Sequence, residues 1–320
     1  MTAIVGNGRI TMILILGLTA SGKGQLAWQL AKQTGAEIIS IDSMKVYRRM
    51  DIGTAKPPAQ ARKEVNYHLI DVVEPSDSFN VGKFLDSAYD SITQIKSRRK
   101  DVIAVGGTAL YIKALLYGLF EGPPGDSQIR EQLADQAKKQ GLEKLYDRLK
   151  TTDPAAADRI HPHDSNRIIR ALEVHQLTGK GISALQKQFN AEKTRHNWTI
   201  IGLAREKTDI SGRINRRVKK MFDNGLVEEV KALLAEEKPL SQQARCAIGY
   251  AEIIDCLHGR TALQDCVELV KKNTRRLAKN QRTWFKTFRN VHWLEIEPQE
   301  GIEKTLLNTK KLLESAAAER

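Results

Sequence analysis

Residues 17–24 read GLTASGKG and follow the apolar run ITMILIL. A buried strand, a glycine loop and a helix starting at Lys23 would gather backbone N–H groups and a helix N-terminus around one anion, with the lysine adding a charge. This is the phosphate-cradling pattern G-x-x-x-x-G-K-[ST] in all but its last letter. Gly17, Leu18, Thr19, Ala20, Ser21, Gly22, Lys23 and Gly24 are therefore the expected lining of a diphosphate or triphosphate site. Gly24 stands where a hydroxyl residue normally contacts Mg²⁺, so no side-chain metal contact can come from that position.

Four further stretches carry polar groups that could serve the same site. In ISIDSMKVYRRMDIGTAKP (39–57), Asp42 ends an apolar run, where it could accept a proton, hold a metal or cap a helix. Ser43, Met44 and Lys45 follow, and Asp51, Thr54 and Lys56 are expected as a polar rim. In VGGTALYIKALLYGL (105–119), the glycine pair permits a close approach, and Thr108 either caps a helix or offers its hydroxyl to a ligand. Arg213 and Arg217 lie four apart on one helix face, a spacing that suits a departing phosphate or a solvated surface. Residues 271–290 hold eight Lys or Arg and no acid. Lys271, Arg275, Lys279, Arg282, Lys286 and Arg289 fall on one stripe, with Leu277, Trp284 and Phe288 expected on the core side. Such a stripe tracks a nucleic-acid backbone better than it suits a small substrate.

The elements that must position these groups are short apolar runs at 13–16, 38–41, 69–73, 102–105, 200–203 and 291–296, alternating with helical stretches. Continuous apolar runs suit strands buried on both faces, so the fold class is α/β, a P-loop-containing doubly wound parallel sheet. Ligands bind beyond the carboxyl ends of such strands, where Gly17, Asp42 and Gly106 all fall. After EGPPGD the sequence turns polar, alanine-rich and helical in period, with breaks at Gly141, Pro154, Pro162 and Gly179. Residues 123–197 are thus expected as a helical insertion in a core of 11–122 and 198–298, with 299–320 a frayed helix and tail.

The formal net charge of +13 and pI near 9.6 point to a polyanionic partner, and the basic stripe shows where that charge gathers. Three cysteines spaced ten apart form neither a zinc motif nor a disulfide framework, which suits a reducing cytosol. The longest apolar run is too short to span a bilayer, so no membrane partner is expected and the location read is cytoplasmic.

Taken in order, GLTASGKG, IISIDSMKVYRRMDIGTAKP, VGGTALYIKALL, NRIIRALEVHQLTGK (166–180), ARCAIGY (244–250) and TRRLAKNQRTWFK (274–286) resemble the bacterial tRNA dimethylallyltransferases. The segment DS-x-x-x-YR-x-MDIGTAKP is the most specific element. The resemblance implies transfer of a dimethylallyl group from dimethylallyl diphosphate to the N6 amine of the adenosine 3′ of the anticodon, with Mg²⁺ and a monomeric enzyme. It makes Asp42 the base, has Thr108 place the adenine, and assigns Lys23, Arg217 and secondarily Arg213 to the leaving diphosphate. It further implies that Asp42, Ser43, Met44, Lys45, Thr108, Arg130, Asn166, Arg167, Ile168, Ile169, Arg170, Arg245, Tyr250, Lys279, Arg282 and Lys286 face the tRNA anticodon stem-loop. Ser21 and Asp42 remain to hold Mg²⁺. The chain departs from the family pattern at Leu18 for Pro, Gly24 for Thr or Ser, Arg49 for Gly, Asn166 for Gln and Ala251 for a basic residue. A small-molecule kinase would share the loop and sheet but leave the basic stripe without purpose. A relative acting on free AMP would not need the insertion, and a non-catalytic RNA-binding protein would not need Lys23, Asp42 and Thr108 together.

Overall fold

The computed structural model describes residues 11–119, 122–186 and 194–318. The chain divides into a sheet unit, which ends at Leu116 and resumes at His196, and a helical unit, Tyr117–Arg195.

In the sheet unit, β1 (Met12–Gly17), β2 (Glu37–Ile41), β3 (Tyr67–His68), β4 (Val102–Gly106), β5 (Trp198–Ala204) and β6 (Val291–Glu295) form one sheet of order β3-β2-β4-β1-β5-β6. Every pairing is parallel. The run MILILG of β1 is buried throughout because it lies between β4 and β5 with helices on the sheet. One layer is formed by α1 (Lys23–Thr34), whose Leu26, Ala27, Leu30 and Ala31 meet Ile13, Ile15 and Ile38 of the sheet. Truncating a fully buried leucine such as Leu30 to alanine in this layer would cost about 2–5 kcal/mol. The chain leaves the sheet centre toward β2 after β1, and lies on the other side of β1 at β5, so the switch of direction opens a crevice at the end of β1.

Two expectations fail here. The apolar run 69–73 is not a strand: the third strand is the short pair Tyr67–His68, and Leu69 and Asp71 have φ of 62° and 56°. A left-handed backbone cannot continue a pleat. The segment after residue 298 is not a frayed tail either. It forms α15 (Ile302–Ala318), whose Leu306 and Leu313 join the core beside α1, with Thr305 and Thr309 buried on the same stripe. Each threonine hydroxyl has a partner, Thr309 donating to Thr305 O at 2.8 Å and Thr305 to Glu300 Oε1, just before the helix, at 2.8 Å, so polar residues occupy core positions without cost in lost hydrogen bonds.

The sheet unit is completed by α2 (Ala59–Glu64), α3 (Val81–Ser97), α4 (Ala109–Tyr117) and a second helical run: α10 (Lys207–Asp223), α11 (Leu226–Leu234), α12 (Gln242–Arg245), α13 (Tyr250–Leu257) and α14 (Leu263–Phe285). The helical unit holds α5 (Ser127–Gln140), α6 (Leu142–Thr152), α7 (Pro154–Ala157), α8 (Ser165–Thr178) and α9 (Ile182–Leu185) around Leu133, Leu145, Leu149, Ile168 and Leu172. No helix of the described residues is long and apolar enough to cross a membrane.

Candidate active site

The loop after β1 turns through Ala20 (φ 64°) and Gly22 (φ 99°) into α1. The N-cap of α1 is Gly22 and its first turn has no acid, so apart from Lys23 N, which reaches Ser21 Oγ at 3.4 Å, its leading amides remain for an anion. The loop's carbonyls are held by cations: Lys23 Nζ donates to Leu18 O at 3.2 Å, Arg213 Nε to Ala20 O at 2.8 Å and Arg205 Nε to Ser21 O at 2.9 Å. Arg205, buried against Asp209, was not singled out from sequence; its signal was a lone arginine directly after a buried strand.

One cavity of about 1130 Å³ takes in this loop and most of the other predicted groups of the sheet unit. Thr19, Ala20, Gly22, Lys23 and Gly24 line it together with Asp42, Ser43, Met44, Lys45, Arg213 and Arg217. Asp42, just past β2, accepts from Met44 N at 2.9 Å and Lys45 N at 3.2 Å, both through Oδ1. It therefore fixes the following turn, and among the described residues Oδ2 has no hydrogen-bond donor and stays available for chemistry. The hydroxyl of Thr108 accepts from Ser43 N at 3.2 Å, which ties the loop after β4 to the Asp42 turn. Arg217 donates from Nη2 to Thr19 Oγ1 at 2.6 Å, and its buried Nε has no partner among the described residues. Gly17, Leu18 and Ser21 are buried structural members of the loop.

Burial, with Lys45 and then Arg217 close by, pulls the Lys23 ammonium down to about 7, while Asp42 pulls it up. Lys45 is lowered for the same first reason. Three cations around one carboxylate make a site short of negative charge, which an incoming diphosphate supplies. Because the anion favours protonated Lys23, its binding takes up a proton above pH 7, and affinity falls as pH rises past that value. The affinity for inorganic pyrophosphate, measured by calorimetry relative to Lys23→Met to cancel the ligand's own titration, is expected to drop by up to about tenfold per pH unit above 7. A flat ratio from pH 6 to 9 would show that Lys23 does not meet the anion.

The DIGTAKP stretch is scaffold, not a polar rim. Glu229 of α11 accepts from Asp51 N, Ile52 N and Gly53 N at 2.9, 2.8 and 3.2 Å, and from Tyr250 Oη at 2.6 Å. Lys56, 2% exposed, donates to Tyr47 O, Asp51 and Asp71. Thr54 Oγ1 donates to Met50 O. All the polar groups are spent on holding the wall of the cavity at residues 53–57. Arg49 has φ 61°, a backbone that explains why glycine suits this position, and its guanidinium spans Glu74 and Glu236.

The residues expected at RNA divide. Arg245, Lys279 and Lys286 are exposed and Arg282 is half-buried. Tyr250 is fully buried with its ring against Gly53, so it supports the wall of the cavity and is not on the outer surface. Leu277 and Trp284 are not core residues: Leu277 is 39% exposed at the cavity, and the buried stripe of α14 is Val270, Thr274, Ala278, Gln281 and Phe285. In the helical unit, Asn166 and Arg167 are exposed at the start of α8, and Ile169 is half-buried. Ile168 is fully buried in that unit's core, so its side chain touches no RNA. Arg130 and Arg170 both pair with buried Glu173, at 2.9 and 2.6 Å, which gives them a structural task.

Comparison with known proteins follows the same lines. The model of the family "IPP transferase" matches residues 45–288. The chain is 44% identical over 284 residues to a tRNA dimethylallyltransferase of Geobacter metallireducens, covering 89% of this chain and 92% of that one. It is 41% identical over 303 residues to one of Acetivibrio thermocellus, covering 94% and 97%. The structure overlays on the tRNA isopentenylpyrophosphate transferase of Bacillus halodurans with a TM-score of 0.72 at 37% identity, covering 97% and 98%. It also matches a eukaryotic dimethylallyltransferase acting on tRNA, with a TM-score of 0.73 at 26% identity, covering 89% of this chain and 74% of that one.

Proposed function

The chain belongs to the IPP transferase family, and from that premise we propose that it transfers the dimethylallyl group of dimethylallyl diphosphate to N6 of the adenosine 3′-adjacent to the anticodon, in tRNAs that read codons beginning with U. The products are N6-isopentenyladenosine and diphosphate. The observation that carries this reading is the joining, in one cavity, of an amide-rich anion loop, the cations Lys23, Lys45 and Arg217, and a carboxylate, Asp42, with one oxygen uncommitted.

The adenosine N6 attacks C1 of the dimethylallyl group as the C1–O bond breaks, its electron pair leaving with the diphosphate. The surplus N6 proton passes to Asp42 Oδ2. Lys23, the loop amides and Arg217 hold the charge that develops on the leaving oxygen, at about 3 kcal/mol for a well-placed donor. Arg213 is committed to Ala20 O through Nε and contributes its other nitrogens. Thr108, bonded to Ser43 N, holds the acceptor base against the Asp42 turn. The base must leave its stack to reach this cavity, a cost offset by backbone contacts on the basic helix. A site contained in one chain suits a monomer, and an RNA substrate suits the cytoplasm.

Mg²⁺ fits this site as a partner of the diphosphate. Among the described residues no cluster of three His, Cys, Asp or Glu could hold a metal by itself. Ser21 is 1% exposed and its Oγ takes Lys23 N at 3.4 Å, so it is a poor ligand. With Oδ1 on two backbone amides and Oδ2 reserved for the N6 proton, Asp42 would reach the ion only through a bound water, and substrate oxygens and water would complete a donor set common for Mg²⁺. When bound, Mg²⁺ supplies further charge neutralisation to the leaving group. A Cβ added at Gly24 meets no atom within 4 Å, so a threonine fits. Gly24→Thr is expected to lower the Mg²⁺ concentration for half-maximal transfer by about three- to tenfold, without creating ATP hydrolysis. An unchanged Mg²⁺ titration would mean that the ion is held away from position 24.

Transfer is tested by incubating the protein with Mg²⁺, dimethylallyl diphosphate and unmodified tRNA, with free AMP as competitor. Prenylated adenosine beside the anticodon is the expected product. Phosphorylation of a small molecule with no prenylated RNA would overturn the assignment.

A further inference from the structure

Gln281 lies on the buried stripe of α14, where every third or fourth residue faces the core, and it is 7% exposed. Both polar atoms of its amide are engaged. Oε1 accepts from Thr19 N in the anion loop at 2.8 Å, and Nε2 donates to Gly107 O, beside Thr108, at 2.9 Å. The two partners belong to different loops, one following β1 and the other following β4, and each also carries a group used in the reaction. Thr19 Oγ1 receives Arg217 Nη2 and Thr108 Oγ1 receives Ser43 N. The fit is close, because a Cβ at Gly107 would lie 2.5 Å from Nε2 of Gln281. The glycine there is a space requirement of the glutamine.

We propose that Gln281 is a positioning residue of the transfer reaction: through its amide it fixes the loop that holds the diphosphate against the loop that holds the acceptor base. The claim rests on the transfer reading above and adds a residue to it. Gln281 contacts neither substrate. An isolated buried donor or acceptor is costly to leave unmet, so losing the amide releases Thr19 N and Gly107 O to find other partners, and the two loops lose their common reference. Near-attack geometry tolerates little such drift. The same helix exposes Lys279 and Lys286 on another face, so substitution at 281 leaves the basic surface in place.

Gln281→Met keeps the volume and removes both hydrogen bonds, while Gln281→Glu keeps the acceptor for Thr19 N but loses the donor to Gly107 O until its carboxyl is protonated. Both are assayed beside the parent protein, well below their melting temperatures, with circular dichroism confirming the fold. The expected result for Gln281→Met is a fall in kcat of about 10- to 100-fold, with the Kd for tRNA within about threefold of the parent. For Gln281→Glu, the ratio of its kcat to that of the parent rises by about tenfold as pH falls from 8 to 6, since the protonated acid restores the missing donor. A role confined to stability would move the melting temperature and leave both the kcat and the pH dependence of that ratio unchanged, and that result overturns the proposal. If the parent itself transfers nothing, the transfer reading fails. If the parent is active and both variants match it, only the role of Gln281 fails.

Discussion

Replacing Asp42 by alanine is expected to lower kcat by about a thousandfold or more, with tRNA affinity changed by less than about threefold. The expectation comes from the division of labour between its two oxygens. Oδ1 is committed to Met44 N and Lys45 N, so alanine removes a turn support along with the base. Asn is therefore the sharper substitution, because its amide oxygen can keep both backbone bonds but accepts no proton. Asp42→Asn should be about as inactive as Asp42→Ala. Well below pH 7, where Lys23 stays protonated, neither change should raise the KM for dimethylallyl diphosphate, since each removes a negative charge from a cavity that binds an anion. Asp42 also raises the pKa of Lys23, so its loss lets the lysine discharge at lower pH and moves the fall in pyrophosphate affinity to more acidic values. Single-turnover transfer with saturating RNA separates these effects. An Asp42→Asn protein that keeps more than about a tenth of the parent rate would place the base elsewhere.

How much of this was legible in the sequence depends on whether a residue's task is local. The anion loop was legible because strand, glycines, lysine and helix are contiguous, and the backbone itself makes the site. Four of the six strands were legible because runs such as MILILG are buried on both faces, and β6 was read from an apolar run although its residues are half-buried or exposed. The run at 69–73 was misleading: its left-handed residues at 69 and 71 turn the chain, leaving Leu69 buried and Val72 exposed, and nothing in the spacing reports φ. Lys56 was expected on a polar rim because nothing in the sequence shows that Asp51 and Asp71 close over its ammonium. Tyr250 came to the RNA list through the family resemblance, which does not report the bond from its hydroxyl to Glu229. Arg130 and Arg170 were placed at RNA by the family resemblance, and the acid that pairs with both, Glu173, gives no sign of that pairing in the sequence.

Gln281 marks the boundary between what patterns reveal and what they conceal. The residues 270, 274, 278, 281 and 285 define the buried side of α14, and one of them is a glutamine, a polar group on an otherwise core-facing stripe. The anomaly could have been noticed from helical periodicity alone. Its meaning could not, because the amide's two partners lie more than 170 positions away, in loops brought together by the parallel sheet. The same topology explains why the stretch most characteristic of the family, DIGTAKP, contains almost no chemistry of its own. Its aspartate, lysine and glycine build a wall of the cavity, and reactive groups are contributed by its neighbours.

Binding of the anticodon stem-loop is expected to weaken about a thousandfold between 50 and 200 mM monovalent salt. The number follows from counting cations that the fold leaves for phosphate. Arg245, Lys279, Lys286 and Arg289 are exposed in the sheet unit, with Arg282 half-buried beside them, and Arg167 is exposed in the helical unit. Arg130 and Arg170 are excluded by Glu173, and Lys271 and Arg275 are engaged by Glu268 and Asn215. Roughly six contacts, each contributing about −0.8 to the slope of log affinity against log salt, give a slope near −5, and a fourfold rise in salt then costs about three powers of ten. Substituting Lys279, Arg282 and Lys286 together by alanine should reduce that slope by about 2 and leave transfer to saturating RNA at low salt nearly intact, because these side chains meet the RNA backbone and not the reacting atoms. Filter binding across the salt range measures both slopes. A parent slope shallower than −2 would mean that the RNA is held mainly by uncharged contacts and that the basic stripe of α14 does something other than grip phosphates.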